Sequence, residues 1–341
     1  MSLHQEGKAK FIGRTWLLCV LALVGLNIAQ SALAADYWIS EAQISQPGIT
    51  GAWYDPAQSG QGLMVNVIPP GSPGGEASYF VGWFTYATDT MFPPNPAIVN
   101  GAPFWLTAQG SAADVSVAPG ANEYGKGLGV YATNGALGRF DAGPKVSSAG
   151  VGVAYVAMQD CNHMLFDARD NINHFIGPEE ISIHLVRLMP NINCSDSVPP
   201  AAPQRSTAGL SGAWYDPATS GQGFTFEVNP LANGGYFFGG WFTYAAPPAR
   251  AGQRWYTLQG PMSFADDTAS VGIFETTGGT FVRPNTPATV ITTKQVGTAT
   301  VAFLSCTNAT LHYVFSAGEN AGHTNDIHLQ RLGAAPGYCT L

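Results

Sequence analysis

The chain has 341 residues, a formal net charge of −8 and only 11 % charged residues, while 41 positions are glycine. Nucleic acid and anionic membrane surfaces are poor partners for such a chain, because both are held by clustered lysines and arginines. Low charge and abundant glycine suit a β-rich, turn-rich fold better than a helical one.

The N-terminus reads as a leader. Lys8, Lys10 and Arg14 form a positive region, Trp16 to Leu26 is a short apolar run, and Ala32-Leu33-Ala34 offers the small-x-small pattern of a signal-peptidase site. A membrane anchor would need about 18 or more apolar residues, and Asn27, Gln30 and Ser31 interrupt this run too early. Residues 1–34 are therefore expected to be a signal peptide, taking Cys19 with them, and residues 35–47 a short lead-in. Export to the periplasm or outside the cell follows as the expected location, with no membrane span after processing.

Beyond the leader the chain contains one pattern twice. Gly51-Ala52-Trp53-Tyr54-Asp55-Pro56, followed by Ser59-Gly60-Gln61-Gly62, returns as Gly212-Ala213-Trp214-Tyr215-Asp216-Pro217 and Ser220-Gly221-Gln222-Gly223. The apolar ends read as strands and the Asp-Pro to Ser-Gly stretch as the turn between them, with proline fixing φ and aspartate bonding nearby amides. Neither serine has the Gly-x-Ser-x-Gly order of a nucleophile elbow. Next come Gly82-Trp83-Phe84-Thr85-Tyr86 and Phe104 to Gly110, matched by Gly240-Trp241-Phe242-Thr243-Tyr244 and Arg254 to Gly260. Glycine-rich strands follow, and each repeat closes on a hairpin whose last strand is Ile183 to Leu188 in one copy and Ile327 to Leu332 in the other. The repeats span residues 48–194 and 209–341, and residues 195–208, rich in proline and alanine, read as a linker.

Four cysteines remain after the leader, Cys161, Cys194, Cys306 and Cys339, with the same spacing of 33 in each repeat. In an exported chain this predicts one disulfide per repeat, Cys161 to Cys194 and Cys306 to Cys339. No C-x-x-C pair supports the rival reading of metal ligands. About eight strands per repeat, with frequent turn signals and no convincing amphipathic helix, predict an all-β molecule of two tandem antiparallel β-barrels. Closure is favoured over a sandwich because it leaves no long sheet edge.

The Gly-x-Trp of the first strand and the arginine of the last resemble the calycin superfamily of lipocalins and avidins. The resemblance implies an arginine lying across the tryptophan at one barrel end, here Trp53 with Arg187 and Trp214 with Arg331. The guanidinium–indole contact has a physical rationale of its own. Over whole repeats the chain is similar to exported bacterial proteins carrying Gly-x-Trp-Tyr-Asp-Pro-x-x-Ser-Gly-Gln-Gly with Gly-Trp-Phe-Thr-Tyr, which implies a location and not an activity.

Each repeat also places three histidines in corresponding positions, His163, His174 and His184, then His312, His323 and His328. Three imidazoles can hold zinc, but His328 shares its strand face with Gln330, which points to solvent, and no His-Glu-x-x-His spacing occurs. No metal and no cofactor is therefore expected, and no catalytic residue is assigned. The residues expected to bind a ligand are Trp83, Thr85, Trp105, Thr107 and Gln109, with Trp241, Thr243, Trp255, Thr257 and Gln259 in the second repeat. An aromatic plane beside hydroxyls and an amide suits a small uncharged ligand or glycan, and these residues read as one face of neighbouring strands within each barrel. The expected function is an exported, non-enzymatic binding protein; a secreted hydrolase using metal and a structural or adhesive surface protein are the alternatives.

Overall fold

A computed structural model of the chain describes residues 44–58, 60–72, 74–87, 101–115, 127–136, 145–170, 181–196, 207–219, 221–245, 252–281 and 290–341. The expected leader, Ser59, Ser220, His174 and most of the linker lie outside the described residues.

Strands β1 (Gly51–Tyr54), β2 (Gly62–Ile68), β3 (Ser78–Tyr86), β4 (Pro103–Ser111), β5 (Leu128–Ala136), β6 (Lys145–Met158), β7 (His163–Asp170) and β8 (Ile181–Arg187) form one antiparallel meander. The second repeat gives β9 (Gly212–Tyr215), β10 (Gly223–Asn229), β11 (Tyr236–Tyr244), β12 (Gln253–Ser263), β13 (Thr268–Thr277), β14 (Thr292–Phe303), β15 (Asn308–Phe315) and β16 (Thr324–Arg331). Each set closes into a barrel, β8 pairing with β1 and β16 with β9. The expected all-β architecture of two closed eight-stranded barrels is therefore what the chain adopts. Both disulfides are formed as expected, Cys161–Cys194 and Cys306–Cys339.

Local chemistry explains why the repeated segment turns where it does. The Ala57 amide donates to Asp55 Oδ1 at 2.8 Å and the Gln58 amide to the Asp55 carbonyl at 3.0 Å; Asp216 accepts from Ala218 and Thr219 in the same way. Gly60 and Gly221 hold φ of 88° and 94°, a left-handed conformation that glycine adopts without steric cost.

The seam of each barrel is tied by its arginine. Trp53 and Arg187 are direct register partners across β1 and β8, as are Trp214 and Arg331 across β9 and β16. Each guanidinium carbon lies 4.8 Å from the indole ring of its tryptophan. The Arg331 Nε donates to the Cys306 carbonyl at 2.7 Å and its Nη2 to the Gly209 carbonyl at 2.5 Å. Arg187 repeats these bonds, to Cys161 at 2.8 Å and to Gly48. One cation thus joins the last strand, the disulfide and the entry to the first strand. Burial lowers the Arg331 pKa to about 10, which leaves the guanidinium charged at neutral pH.

Both barrel interiors are packed. Trp53, Leu63, Val65, Val81, Trp83, Leu106 and Phe166 belong to one buried cluster, and Trp214, Phe226, Phe237, Trp241, Tyr256, Tyr313 and Phe315 to the other. The filling is not identical. Trp241 is flanked by Tyr256 and Tyr313 from its own barrel, where the register of the first barrel places Leu106 and Ala168. Phe281, which follows β13 of the second repeat, packs instead against Trp83 at 5.3 Å and is 2 % exposed within the first barrel's core. Phe281→Ala is expected to destabilise the fold by about 3 kcal/mol, the usual cost of truncating a buried phenylalanine. Urea unfolding followed by tryptophan fluorescence checks this, and a change below about 0.5 kcal/mol would show that the ring does not fill the barrel.

Candidate functional site

The repeated Gly-Trp-Phe-Thr-Tyr strand distributes its side chains to two different environments. Along β3, Trp83 points into the first barrel and Phe84 and Tyr86 point away from it, as do Phe242 and Tyr244 of β11 from the second. These outward rings are nevertheless buried, because the two barrels belong to one compact unit and pack wall to wall. Ala52, Met64, Phe84, Tyr86 and Trp105 of the first barrel form a single cluster with Phe242, Tyr244 and Trp255 of the second.

The contact is reciprocal. Phe84 and Phe242 stack with centroids 4.4 Å apart and planes 11° from parallel. A Cβ added at Gly82 would run into the Phe242 ring, and one added at Gly240 into the Phe84 ring, so each glycine is where the other barrel's phenylalanine lands. The Trp105 indole donates to the Thr243 carbonyl at 3.2 Å, and the Trp255 indole to the Thr85 carbonyl at 2.9 Å. Each residue meets the counterpart of its own partner, the pattern of an isologous twofold interface, here built within one chain.

Two matching grooves flank this contact. The first, of about 310 Å³, lies between the Gly60-Gln61-Gly62 turn, Met64, Phe84 and Leu188 on one side and Trp255, Thr257, Gln259, Thr276 and Thr293 on the other. The second, of about 260 Å³, lies between Gly221-Gln222-Gly223, Phe242 and Leu332 on one side and Trp105, Thr107, Gln109, Thr133 and Ser148 on the other. Every groove therefore joins the turn of one repeat to the Trp-x-Thr-x-Gln strand of the other. None of the residues lining either groove is charged.

The same hydrogen bonds order both grooves. Thr85 donates to Gln61 Oε1 at 3.1 Å and Thr243 to Gln222 Oε1 at 2.6 Å. Tyr86 and Tyr244 donate their hydroxyls to the Gly60 and Gly221 carbonyls at 2.8 and 3.0 Å. Thr85 thus holds the turn glutamine through its hydroxyl and Trp255 through its carbonyl, fixing both sides of one groove from one residue. Burial pushes the Tyr86 and Tyr244 hydroxyls well above the ordinary tyrosine range, so both remain donors.

The ten residues named from the sequence as ligand contacts do not share one face. Trp83 is in register with Leu106, and Phe84 with Trp105, so Trp83 and Trp105 stand on opposite sides of the barrel wall. The second repeat repeats this, Trp241 opposite Tyr256 and Phe242 opposite Trp255. Trp83 and Trp241 lie in packed interiors, and Thr85 and Thr243 bond the turn glutamines. Trp105, Thr107 and Gln109, with Trp255, Thr257 and Gln259, come together outside, one set in each groove. The single face expected within each barrel is corrected in this respect. Phe84, Phe242, Gln61 and Gln222 were not singled out as site residues. Their signal was present in Gly-Trp-Phe-Thr-Tyr, which is apolar at both parities and so marks a strand covered on both sides.

The histidines lie elsewhere. His163 pairs with Asp160 and His312 with Asp326, both at 2.7 Å on the surface, and His184 and His328 are exposed. Among the described residues there is no group of three or more His, Cys, Asp or Glu placed to hold a metal ion. Comparison of the chain with protein-family models, with curated proteins and with solved structures finds no match.

A buried carboxylate is among the polar contacts that break the symmetry. Glu227 of β10 is 4 % exposed, accepts the Ala52 amide at 2.7 Å and lies 3.5 Å from Arg187 of the first barrel. Its counterpart in the first repeat is Asn66. Burial raises the Glu227 pKa from 4.5 to about 7, against the opposing pull of Arg187 and the Ala52 amide. Because the folded value is the higher one, the associated stability is complete below about pH 4.5 and is lost as pH rises through about 7. Raising the pH from 5 to 8 is expected to cost the wild type on the order of 2–3 kcal/mol through this group. Glu227→Gln keeps the acceptor for Ala52 and should flatten that slope. Urea midpoints of both proteins at pH 5 and 8 check this, and equal slopes would exclude Glu227 as the titrating group.

Proposed function

We propose that the protein is an exported, non-enzymatic binding protein that holds a small uncharged ligand in the two grooves between its barrels. The observation that carries this reading is the reciprocity of the grooves: the repeated turn and the repeated Trp-x-Thr-x-Gln strand of the other repeat meet across the barrel contact, and they meet twice. Packing a core explains large side chains, but it does not explain hydroxyls and amides gathered at a partly open crevice. Leu188 and Leu332, 42 % and 36 % exposed at corresponding rims, add apolar surface that a ligand would cover.

Filled interiors support grooves over lumens as the binding place. Uncharged linings favour a neutral occupant, since no cation is available there to hold a phosphate or carboxylate. Export is supported by the leader-like N-terminus and by two disulfides, which persist in oxidising compartments. The seam of tryptophan under arginine in a closed eight-stranded meander supports a likeness to the calycin barrels.

Thermal unfolding of the full chain against a panel of neutral oligosaccharides and neutral amphiphiles tests the reading. A ligand at about 100 times its Kd should stabilise the protein by about 2.7 kcal/mol. Leu188→Glu together with Leu332→Glu should abolish that stabilisation while leaving the unliganded midpoint within about 0.5 kcal/mol of wild type. Absence of stabilisation by the whole panel, or stabilisation indifferent to the rim substitutions, would contradict the proposal.

A further inference from the structure

We infer that the occupant of each groove is a short segment of neutral oligosaccharide, bound in two equivalents per chain, with its C–H faces on the apolar wall and its hydroxyl edge along the facing threonine and glutamine strip. The inference rests on the binding reading above and adds the chemical class and the stoichiometry.

The two sides of each groove differ in kind. In the first, Met64, Phe84 and Leu188 of one barrel, with Gln61 beside them, face a strip on three adjacent strands of the other, Thr257 and Gln259 on β12, Thr276 on β13 and Thr293 on β14, flanked by Trp255, Phe238 and Ile291. In the second groove Thr107, Gln109, Thr133 and Ser148 make the equivalent strip on β4, β5 and β6. These groups are bonded to one another in pairs. Gln259 donates to Thr257 at 3.2 Å and Gln109 to Thr107 at 3.4 Å, while Thr276 and Thr293, like Thr133 and Ser148, are 3.0 Å apart. Mutual pairing leaves spare capacity: each glutamine retains its carbonyl oxygen and a second N–H, and each hydroxyl pair retains one O–H to donate. The strip therefore presents alternating donors and acceptors without charge, the complement of a row of sugar hydroxyls.

The aromatic component fits the same occupant. The indole N–H groups of Trp105 and Trp255 are committed to backbone carbonyls across the barrel contact, so what these side chains turn to the grooves is ring surface. Ring surface against aliphatic C–H is a favourable apolar contact that demands no further hydrogen bond. An alkyl chain would satisfy these rings and the apolar side chains facing them but would cover the polar strip and leave its spare donors and acceptors unpaired, at roughly 1–3 kcal/mol for each buried group. A sugar satisfies both walls. An acidic oligosaccharide would bring carboxylates to a groove without a cation on a chain of net charge −8, which disfavours it.

Isothermal titration of the full chain with cellohexaose, maltohexaose and chitohexaose, and with dodecanol and an oligogalacturonate as comparators, tests this. At least one neutral oligosaccharide should bind with a stoichiometry of two, and the comparators should not. Thr257→Val with Gln259→Leu should weaken one site at least about tenfold and leave a stoichiometry of one. Thr107→Val with Gln109→Leu should do the same to the other, and the four changes together should abolish binding. Thr293→Val, a single hydroxyl deletion on the outer wall, serves should a double variant fail to fold, and should weaken one of the two sites. Binding of dodecanol with none of the three oligosaccharides would overturn the saccharide inference while leaving the grooves as the binding place. No binding by any probe would overturn both, and a stoichiometry of one in the wild type, or sites untouched by these substitutions, would overturn the inference alone.

Discussion

The stack of Phe84 on Phe242 is the contact on which the rest of the arrangement depends. An isolated eight-stranded barrel closes its own hydrogen bonds and needs no neighbour, so the outer wall of each repeat should be polar. It is not polar here. The two rings meet face to face over Gly82 and Gly240, where a Cβ would run into the opposing ring, and tryptophans from β4 and β12 close the edges. Barrel docking converts what would be two exposed aromatic patches into one core, and it leaves two equivalent crevices beside that core.

This geometry divides labour within each repeat. The interior of the barrel supplies stability through packed aromatics, the arginine seam and a disulfide. The exterior supplies one side of each groove, which is complete only with residues of the other repeat. Several one-sided contacts among the described residues tighten one barrel on the other. Phe281 of the second repeat fills space beside Trp83, Glu227 reaches Ala52 and Arg187, and Gln253 bonds both the Trp105 amide at 2.9 Å and the Thr133 carbonyl at 2.7 Å. A duplicated chain can acquire such one-sided contacts, whereas a homodimer must carry every change twice.

Much of the fold was legible in the residues. Alternation placed Ile183, Leu185 and Arg187 on one face and His184 on the other, as β8 shows, and equal cysteine spacing gave both bridges. The site was legible only in part, because strand alternation fixes faces within a strand and not between strands. Trp83 and Trp105 look equivalent until the register of β3 on β4 is known, and a slip of one residue exchanges inside for outside. Nor does alternation say what covers an outer face. Phe84, Tyr86 and Trp105 are core residues, but the core is the one between barrels.

The most direct test follows the individual indoles. In protein labelled with 5-fluorotryptophan, titration with a neutral oligosaccharide that binds should move the ¹⁹F resonances of Trp105 and Trp255, which line the grooves, and leave those of Trp83 and Trp241 in the barrel interiors unmoved. Shifts confined to Trp83 and Trp241 would place the ligand inside the barrels and contradict the account.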